Sequence, residues 1–397
     1  MVNVFKLLVI GLVISLSISC NSSQDDDYQA ITLEYPNVKA TFSDKLNLLA
    51  LENYANQTVP VYITKNNSLS NPITDKGATL GRILFYDKKL SSNNSVSCAT
   101  CHQQANAFGD SSIGASVGVN GATGRHSMRL INTRFANESK FFWDERAANL
   151  ETQTTMPIKD HGEMGFSGTN GDLDFNGLIT KLNAVGYYKE LFKFVYGDET
   201  ITELKIQTAL AQFIKSIQSF DSKYDIGRSQ VANNNQAFPN YTISENNGKN
   251  LFTAAPQFDA NGSRIGGGIG CAGCHAPPEF DIDPNTRNNG IIGILNGTGI
   301  DITNTRAPSL RDLVKTNGQI NGTMMHTGVI GSLQTVIGHY GTINLAPGNN
   351  NLDPRLRPNG FGQKLNLNAN EVNDVIAFLR TLSGTAVYTN TKWSNPF

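Results

Sequence analysis

The sequence predicts an all-α protein made of two similar units, joined by long irregular loops. Three observations predict it. Several stretches carry apolar residues at helical spacing, while the alternation of a half-buried strand is nearly absent. Gly, Asn and Pro concentrate between those stretches, as connecting loops require. A Gly-x-x-Leu pattern, a polar loop and a Cys-x-x-Cys-His motif occur in that order twice. At 397 residues, 39% hydrophobic and 16% charged, the chain is long enough for two domains with real cores. A formal net charge of −1 supplies no basic field for nucleic acid.

Residues 1–20 read as an export signal peptide. Lys6 is followed by a nearly all-apolar run from Leu7 to Ile18, then by Ser19 and Cys20. The run is too short to span a bilayer. Cys at the cleavage point fits a lipoprotein signal, in which the thiol receives a lipid, although Ser17 stands where Leu is usual. Plain secretion with loss of Cys20 is the alternative. The expected location is the periplasm or cell envelope, lipid-anchored at Cys20. Residues 21–74 are polar apart from Leu46, Leu48, Leu49, Leu51 and Tyr54, which predicts a tether with one short helix.

The first unit is expected over 75–240. It opens with Gly77, Leu80, Leu84 and Phe85 at helical spacing and closes with a long helix over Leu204–Tyr224. Asn233–Asn240 is a polar break. The second unit, 241–397, opens with Gly248, Leu251 and Phe252 and closes with a helix over Glu371–Leu382.

Four of the five cysteines fall into Cys98-Ala-Thr-Cys101-His102 and Cys271-Ala-Gly-Cys274-His275. This pattern reads as covalent attachment of haem c: two thiols one turn apart reach the two vinyl groups, and the His lies under the iron. A thioredoxin-like pair would sit in a βαβ pattern, which is not visible. One shared zinc site would need pairs closer in sequence. Two disulfides would not need the His residues. The fold class is therefore all-α, with two cytochrome c-type haem domains, two covalently bound haems and long irregular loops.

Longer motifs carry a family resemblance. Leu80-Gly81-Arg82-Ile83-Leu84-Phe85-Tyr86-Asp87, Leu90-Ser91 and Ser97-Cys98 resemble the approach to the first haem in bacterial di-haem cytochrome c peroxidases. Phe142-Trp143-Asp144-Glu145-Arg146-Ala147, Leu150-Glu151, Gln153, Pro157-Ile158 and Glu163-Met164-Gly165 resemble that family's middle signature. Ala307-Pro308-Ser309-Leu310-Arg311-Asp312 and Met325-His326-Thr327-Gly328 resemble its second-domain signature. The superfamily includes the MauG enzymes, which oxidise a partner protein.

The resemblance implies a peroxidase. It would reduce hydrogen peroxide with electrons from a small donor, a cytochrome c or a cupredoxin, relayed from the second haem to the first. Such chemistry needs an iron with an open sixth position and a proton carrier beside it. Glu163 is implied as that carrier, Gln153 as its polar partner and Trp143 as an indole between the haems. The plainer readings are a solvated loop carboxylate, a helix-surface amide and core packing. Val119 stands where many relatives place a distal His, so the first haem is expected to be five-coordinate; His126 and His161 are the outside candidates for its sixth ligand. His102 and His275 are the expected fifth ligands. Tyr340 aligns with the sixth-ligand position of the second haem, as in MauG-type members, with His339, Met324 or Met325 as alternatives. Met would raise that haem's potential and Tyr would lower it. His326 is expected beside the second haem without bonding its iron. A calcium between the domains stays open, because His126 replaces the usual Asn and Thr316-Asn317-Gly318 lacks the usual Pro. A homodimer is equally open. The alternatives to a peroxidase are a MauG-like oxidase and a non-catalytic electron carrier.

Overall fold

The structure, a computed structural model, describes residues 34–397 apart from 138, 139, 283 and 296. The expected export signal and Cys20 lie outside the described residues. Helices dominate. They are α1 (Pro36–Phe42), α2 (Asp75–Tyr86), α3 (Cys98–Cys101), α4 (Leu150–Thr155), α5 (Phe175–Asn183), α6 (Gly186–Tyr196), α7 (Glu203–Ser216), α8 (Lys223–Arg228), α9 (Ile243–Thr253), α10 (Leu333–Gly341) and α11 (Ala369–Arg380). The all-α expectation needs one small correction. Two antiparallel ribbons are present, β1 (Pro256–Phe258) with β2 (Arg264–Gly267), and β3 (His275–Ala276) with β4 (Asp281–Ile282). β1–β2 lengthens the connection from α9 to the second Cys motif.

Capping sets the helix starts. Thr74 accepts from the Gly77 N–H at 3.0 Å and Asp75 occupies the first turn of α2, where a negative charge meets the positive end of the helix dipole. α9 and α11 begin with capping boxes, Thr242 with Glu245 and Asn368 with Glu371.

Two apolar cores form. One gathers residues from Tyr35 to Ile217 together with Val387 and Trp393; the other gathers Tyr224 to Leu382. Each contains a crossed helix pair, α2 on α7 and α9 on α11. A glycine makes each crossing close. A Cβ on Gly81 would stand 2.0 Å from the Ala209 carbonyl oxygen, and one on Gly248 would stand 1.9 Å from that of Asp374. Four residues after each glycine, a Phe meets a Phe of the crossing helix: Phe85–Phe213 and Phe252–Phe378, both at 5.2 Å. The equivalent glycines are thus Gly81 and Gly248, each in Gly-x-x-Leu-Phe, and not Gly77 and Gly248 as the simpler pattern suggested.

Three sequence expectations are corrected. The short helix of the amino-terminal segment is Pro36–Phe42, and 46–54 is turn and coil. The described part of that segment is packed and not a tether, since Tyr35, Val38, Phe42 and Tyr54 are buried in the first core. The helix expected over Leu204–Tyr224 stops at Ser216; Tyr224 lies in α8 and, with Phe238, packs into the second core.

Candidate active site

α3 carries the first motif. Ser97 and Thr100 cap one another, and His102 follows at the carboxyl end. His102 Nδ1 donates to the Phe108 carbonyl at 3.3 Å, and burial holds the ring's pKa below its usual value. A neutral imidazole with Nδ1 occupied presents Nε2 to a metal. The second motif forms a tight turn ending at β3. His275 is pushed down to about 4 by burial, and its buried Nδ1 makes no hydrogen bond of normal geometry, with the Pro308 carbonyl acting on it more distantly. None of the four thiols is joined in a disulfide, and the two pairs pack on different cores, so neither disulfides nor one shared zinc site describes them.

Loop 116–123 crosses beside the first motif and is clamped to the loop carrying Glu163. Val119 N–H donates to the Glu163 carbonyl at 3.0 Å, and Asn120 N–H to that of Gly162 at 3.2 Å. The approach requires Gly118, where a Cβ would sit 2.1 Å from the Gly162 oxygen. Glu163 is half-buried, its N–H donates to Asp160 Oδ1 at 2.9 Å, and its carboxyl accepts no hydrogen bond among the described residues. Burial, with help from Asp160 and against Arg146, raises that carboxyl to about 7. Ser92 N–H donates to the Met164 carbonyl at 2.9 Å, so the loop carrying Glu163 packs against the segment that leads into the first motif. Gln153 lies half-buried on α4, and its amide makes no hydrogen bond to a described residue.

The outside candidates for the first iron's sixth ligand each have Nδ1 hydrogen-bonded. His161 Nδ1 donates to Asp172 Oδ2 at 2.8 Å on the surface. His126 is buried, donates Nδ1 to the Gly114 carbonyl at 2.8 Å, and lies close enough to His102 to depress its pKa.

A cavity of about 580 Å³ opens at the second motif. Its lining includes Cys271, Cys274, His275, Tyr340, Met324 and Met325. Asn289 Nδ2 stands 3.3 Å from both the Tyr340 hydroxyl and Met325 Sδ, so one amide joins two of the candidate ligands. Burial raises the Tyr340 phenol. His339 Nε2 donates to the Asn289 carbonyl at 2.9 Å and does not line the cavity. His326 uses both ring nitrogens, accepting from Asn304 Nδ2 at 2.8 Å and donating to the Gly293 carbonyl at 2.9 Å.

Trp143 also lines this cavity. Its Nε1 donates to the His126 carbonyl at 2.7 Å, and its ring meets His326 edge-on at 6.2 Å. Segment 126–129 faces both motifs: Ser127 acts on Cys101, the Met128 carbonyl on His102, and all four residues line the second cavity. Arg129, which no sequence motif marked, donates Nη2 to the Ser309 carbonyl at 3.0 Å, while its Nε is buried with no partner among the described residues and burial lowers its pKa. A guanidinium so placed calls for an anion. Haem fits these residues: the cavity has the size and apolar lining of a cofactor site, two thiols and an imidazole edge it, and Arg129 would meet a propionate.

Residues 75–232 match the sequence profile of the family described as di-haem cytochrome c peroxidase. The methylamine utilization protein MauG of Methylophilus methylotrophus is 30% identical over 327 residues, covering 80% of this chain and 86% of that protein. Cytochrome c551 peroxidase of Nitrosomonas europaea is 25% identical over 319 residues, covering 77% and 80%. A crystal structure of a MauG-like protein associated with microbial copper homeostasis superposes with a TM-score of 0.64 at 25% identity, covering 86% of this chain and 99% of that one. The chain belongs to the di-haem cytochrome c peroxidase family, and it is an oxidoreductase whose family carries haem c.

Proposed function

We propose that the protein reduces hydrogen peroxide to water at the first motif, using electrons from a small donor protein, a cytochrome c or a cupredoxin, that pass through the second. One observation carries this reading: Glu163 is half-buried on a loop packed against the approach to the first motif, its carboxyl accepts no hydrogen bond among the described residues, and burial raises that carboxyl to about 7. Haem would be held by Cys98, Cys101 and His102 and by Cys271, Cys274 and His275, and would supply redox chemistry that passes the donor's electrons to peroxide. Glu163 takes the proton from the near peroxide oxygen and returns it to the far one, which makes water the leaving group. Gln153 orients the peroxide beside it. The 116–123 clamp holds the backbone that carries Glu163, and Val119, having no metal-binding atom in its side chain, would not ligate the first haem. Tyr340, whose hydroxyl meets Asn289 Nδ2 at 3.3 Å, would help hold the second haem. Trp143 lies on the electron path between the two.

The same Tyr340 favours a second reading, a MauG-like oxidase that withdraws electrons from a protein or organic substrate. The 30% identity to a MauG protein supports it. A steady-state assay with peroxide and reduced cytochrome c tests the first reading; sustained turnover is expected, and its absence beside oxidation of an organic substrate would favour the second.

We further infer two haem units whose boundary falls between Ile217 and Tyr224, earlier than residue 240, since Tyr224 and Phe238 pack into the second core, with export to the periplasm or cell envelope and lipidation at Cys20. No described helix is long and apolar enough to cross a membrane. His126 offers calcium no oxygen donor from its side chain, and its Nδ1 donates to the Gly114 carbonyl at 2.8 Å. A homodimer carries no argument either way.

A further inference from the structure

Asp87, directly after α2, is buried and holds two phenols. Tyr187 and Tyr188, consecutive on α6, donate to its Oδ2 at 2.5 and 2.7 Å. Their rings lie 4.7 Å apart, and both residues are buried. Asp87 Oδ1 accepts the Lys89 N–H at 2.8 Å, so the carboxylate is fixed from both sides. Both tyrosines belong to the first core, against which Cys98 of the first motif also packs. Toward the surface, Tyr187 meets Phe42 at 5.4 Å and Lys89 at 5.5 Å. The functional reading above uses none of these groups.

A phenol gives up an electron readily only when its proton can leave at the same time, and a carboxylate at hydrogen-bond distance is the acceptor that step needs. We propose that Tyr187 and Tyr188 form a redox-active site that returns an electron to the first centre after peroxide has withdrawn electrons there, with the phenolic proton passing to Asp87. The step balances: one O–H bond breaks, the proton protonates Asp87, one electron goes to the first centre, and a neutral tyrosyl radical is shared between two adjacent rings. The small donor protein then supplies the electron that restores the phenol, and Asp87 returns the proton. Burial of both rings keeps the radical from solvent. Two phenols on one carboxylate would also serve simple packing, and the test separates these roles.

The inference rests on the peroxidase reading. Its test mixes the di-haem protein with hydrogen peroxide, freezes it, and records haem absorbance and the electron paramagnetic resonance spectrum. The expected result is an organic-radical signal that narrows in protein made with ring-deuterated tyrosine and is lost in the Tyr187→Phe/Tyr188→Phe variant. The deuterium comparison needs no substitution, so it stands even if the variant folds poorly; haem stoichiometry and thermal melting check the variant. Haem absorbance that responds to peroxide, with no radical or one that survives the double substitution, overturns this inference alone. Haem absorbance that ignores peroxide overturns the peroxidase reading and this inference with it.

Discussion

Glu163 suits the proposed role of proton carrier because partial burial raises its carboxyl and no described residue donates to it. Its carboxyl is raised to about 7, so it is protonated and unable to accept a proton at lower pH. Peroxide turnover should therefore fall as pH drops through about 7. Glu163→Gln keeps the shape but removes the titrating group; kcat/KM should fall by about a hundredfold to ten-thousandfold, and the acid limb should vanish from the pH–rate profile. Tyr340→Met tests the other centre. A thioether in place of a phenol raises a haem potential, so a redox titration should show the second haem shifting upward and the first unchanged. The Cys-x-x-Cys-His residues were legible from spacing alone, because thioether attachment imposes that spacing. Glu163, Gln153, Trp143 and Tyr340 were legible only through longer motifs, since any one of them is an ordinary residue type. Asn289 and Arg129 were not legible: their partners are 36 and 51 residues away for the first and a burial pattern for the second, which no local motif encodes.

At the scale of elements, the two glycine crossings place each Cys motif relative to its closing helix. In an exposed helix, Gly→Ala is favourable by about 1 kcal/mol. At Gly81 or Gly248 the sign should reverse, because the new methyl meets backbone at 2.0 or 1.9 Å and the helices must separate. Overpacking of this kind costs about 1–3 kcal/mol, measurable as a lower urea midpoint at unchanged slope. The repeat was visible in the sequence, but its register was not, since Gly77 and Gly81 both fit the spacing. Only the packing tells them apart: Gly77 faces the Gln212 side chain, Gly81 a backbone carbonyl. The amino-terminal segment misled for a local reason. Leu46–Tyr54 has helical apolar spacing, yet Asn47 Oδ1 accepts the Leu49 N–H at 2.9 Å and Asn53 Oδ1 the Asn56 N–H at 2.9 Å. Such Asn turns compete with helix. The overlooked signal was Pro36, at a position where Pro starts helices.

Across the whole molecule, the carboxyl-terminal tail leaves the second core and closes over the first. Trp393 is buried there, its Nε1 donates to Ser216 Oγ at 3.3 Å, and its carbonyl accepts the Tyr86 hydroxyl at 2.7 Å. Sequence periodicity cannot show such a return, because it reports which face of an element is buried and not which core buries it. The same holds for the ion pair of Arg311 and Asp225. Both are buried, and Arg311 Nη1 and Nη2 each donate to a separate Asp225 oxygen at 2.9 Å. Nη2 also donates to the Pro278 carbonyl at 2.9 Å, while Tyr62, from the amino-terminal segment, donates to Asp225 Oδ1 at 2.8 Å. The pair thus ties the Pro278 loop after the second motif to α8 and to the segment beneath the first core. Arg311→Met removes one charge and leaves the other buried, which costs about 3–5 kcal/mol. Replacing Asp225 by Leu as well should recover only part of that loss, because Asp225 also accepts the Ser222 N–H at 3.1 Å and caps α8. Urea unfolding of the single and double variants, followed by tryptophan fluorescence and haem absorbance together, measures both. If the single variant unfolds at the wild-type midpoint, the pair does not hold the two cores together.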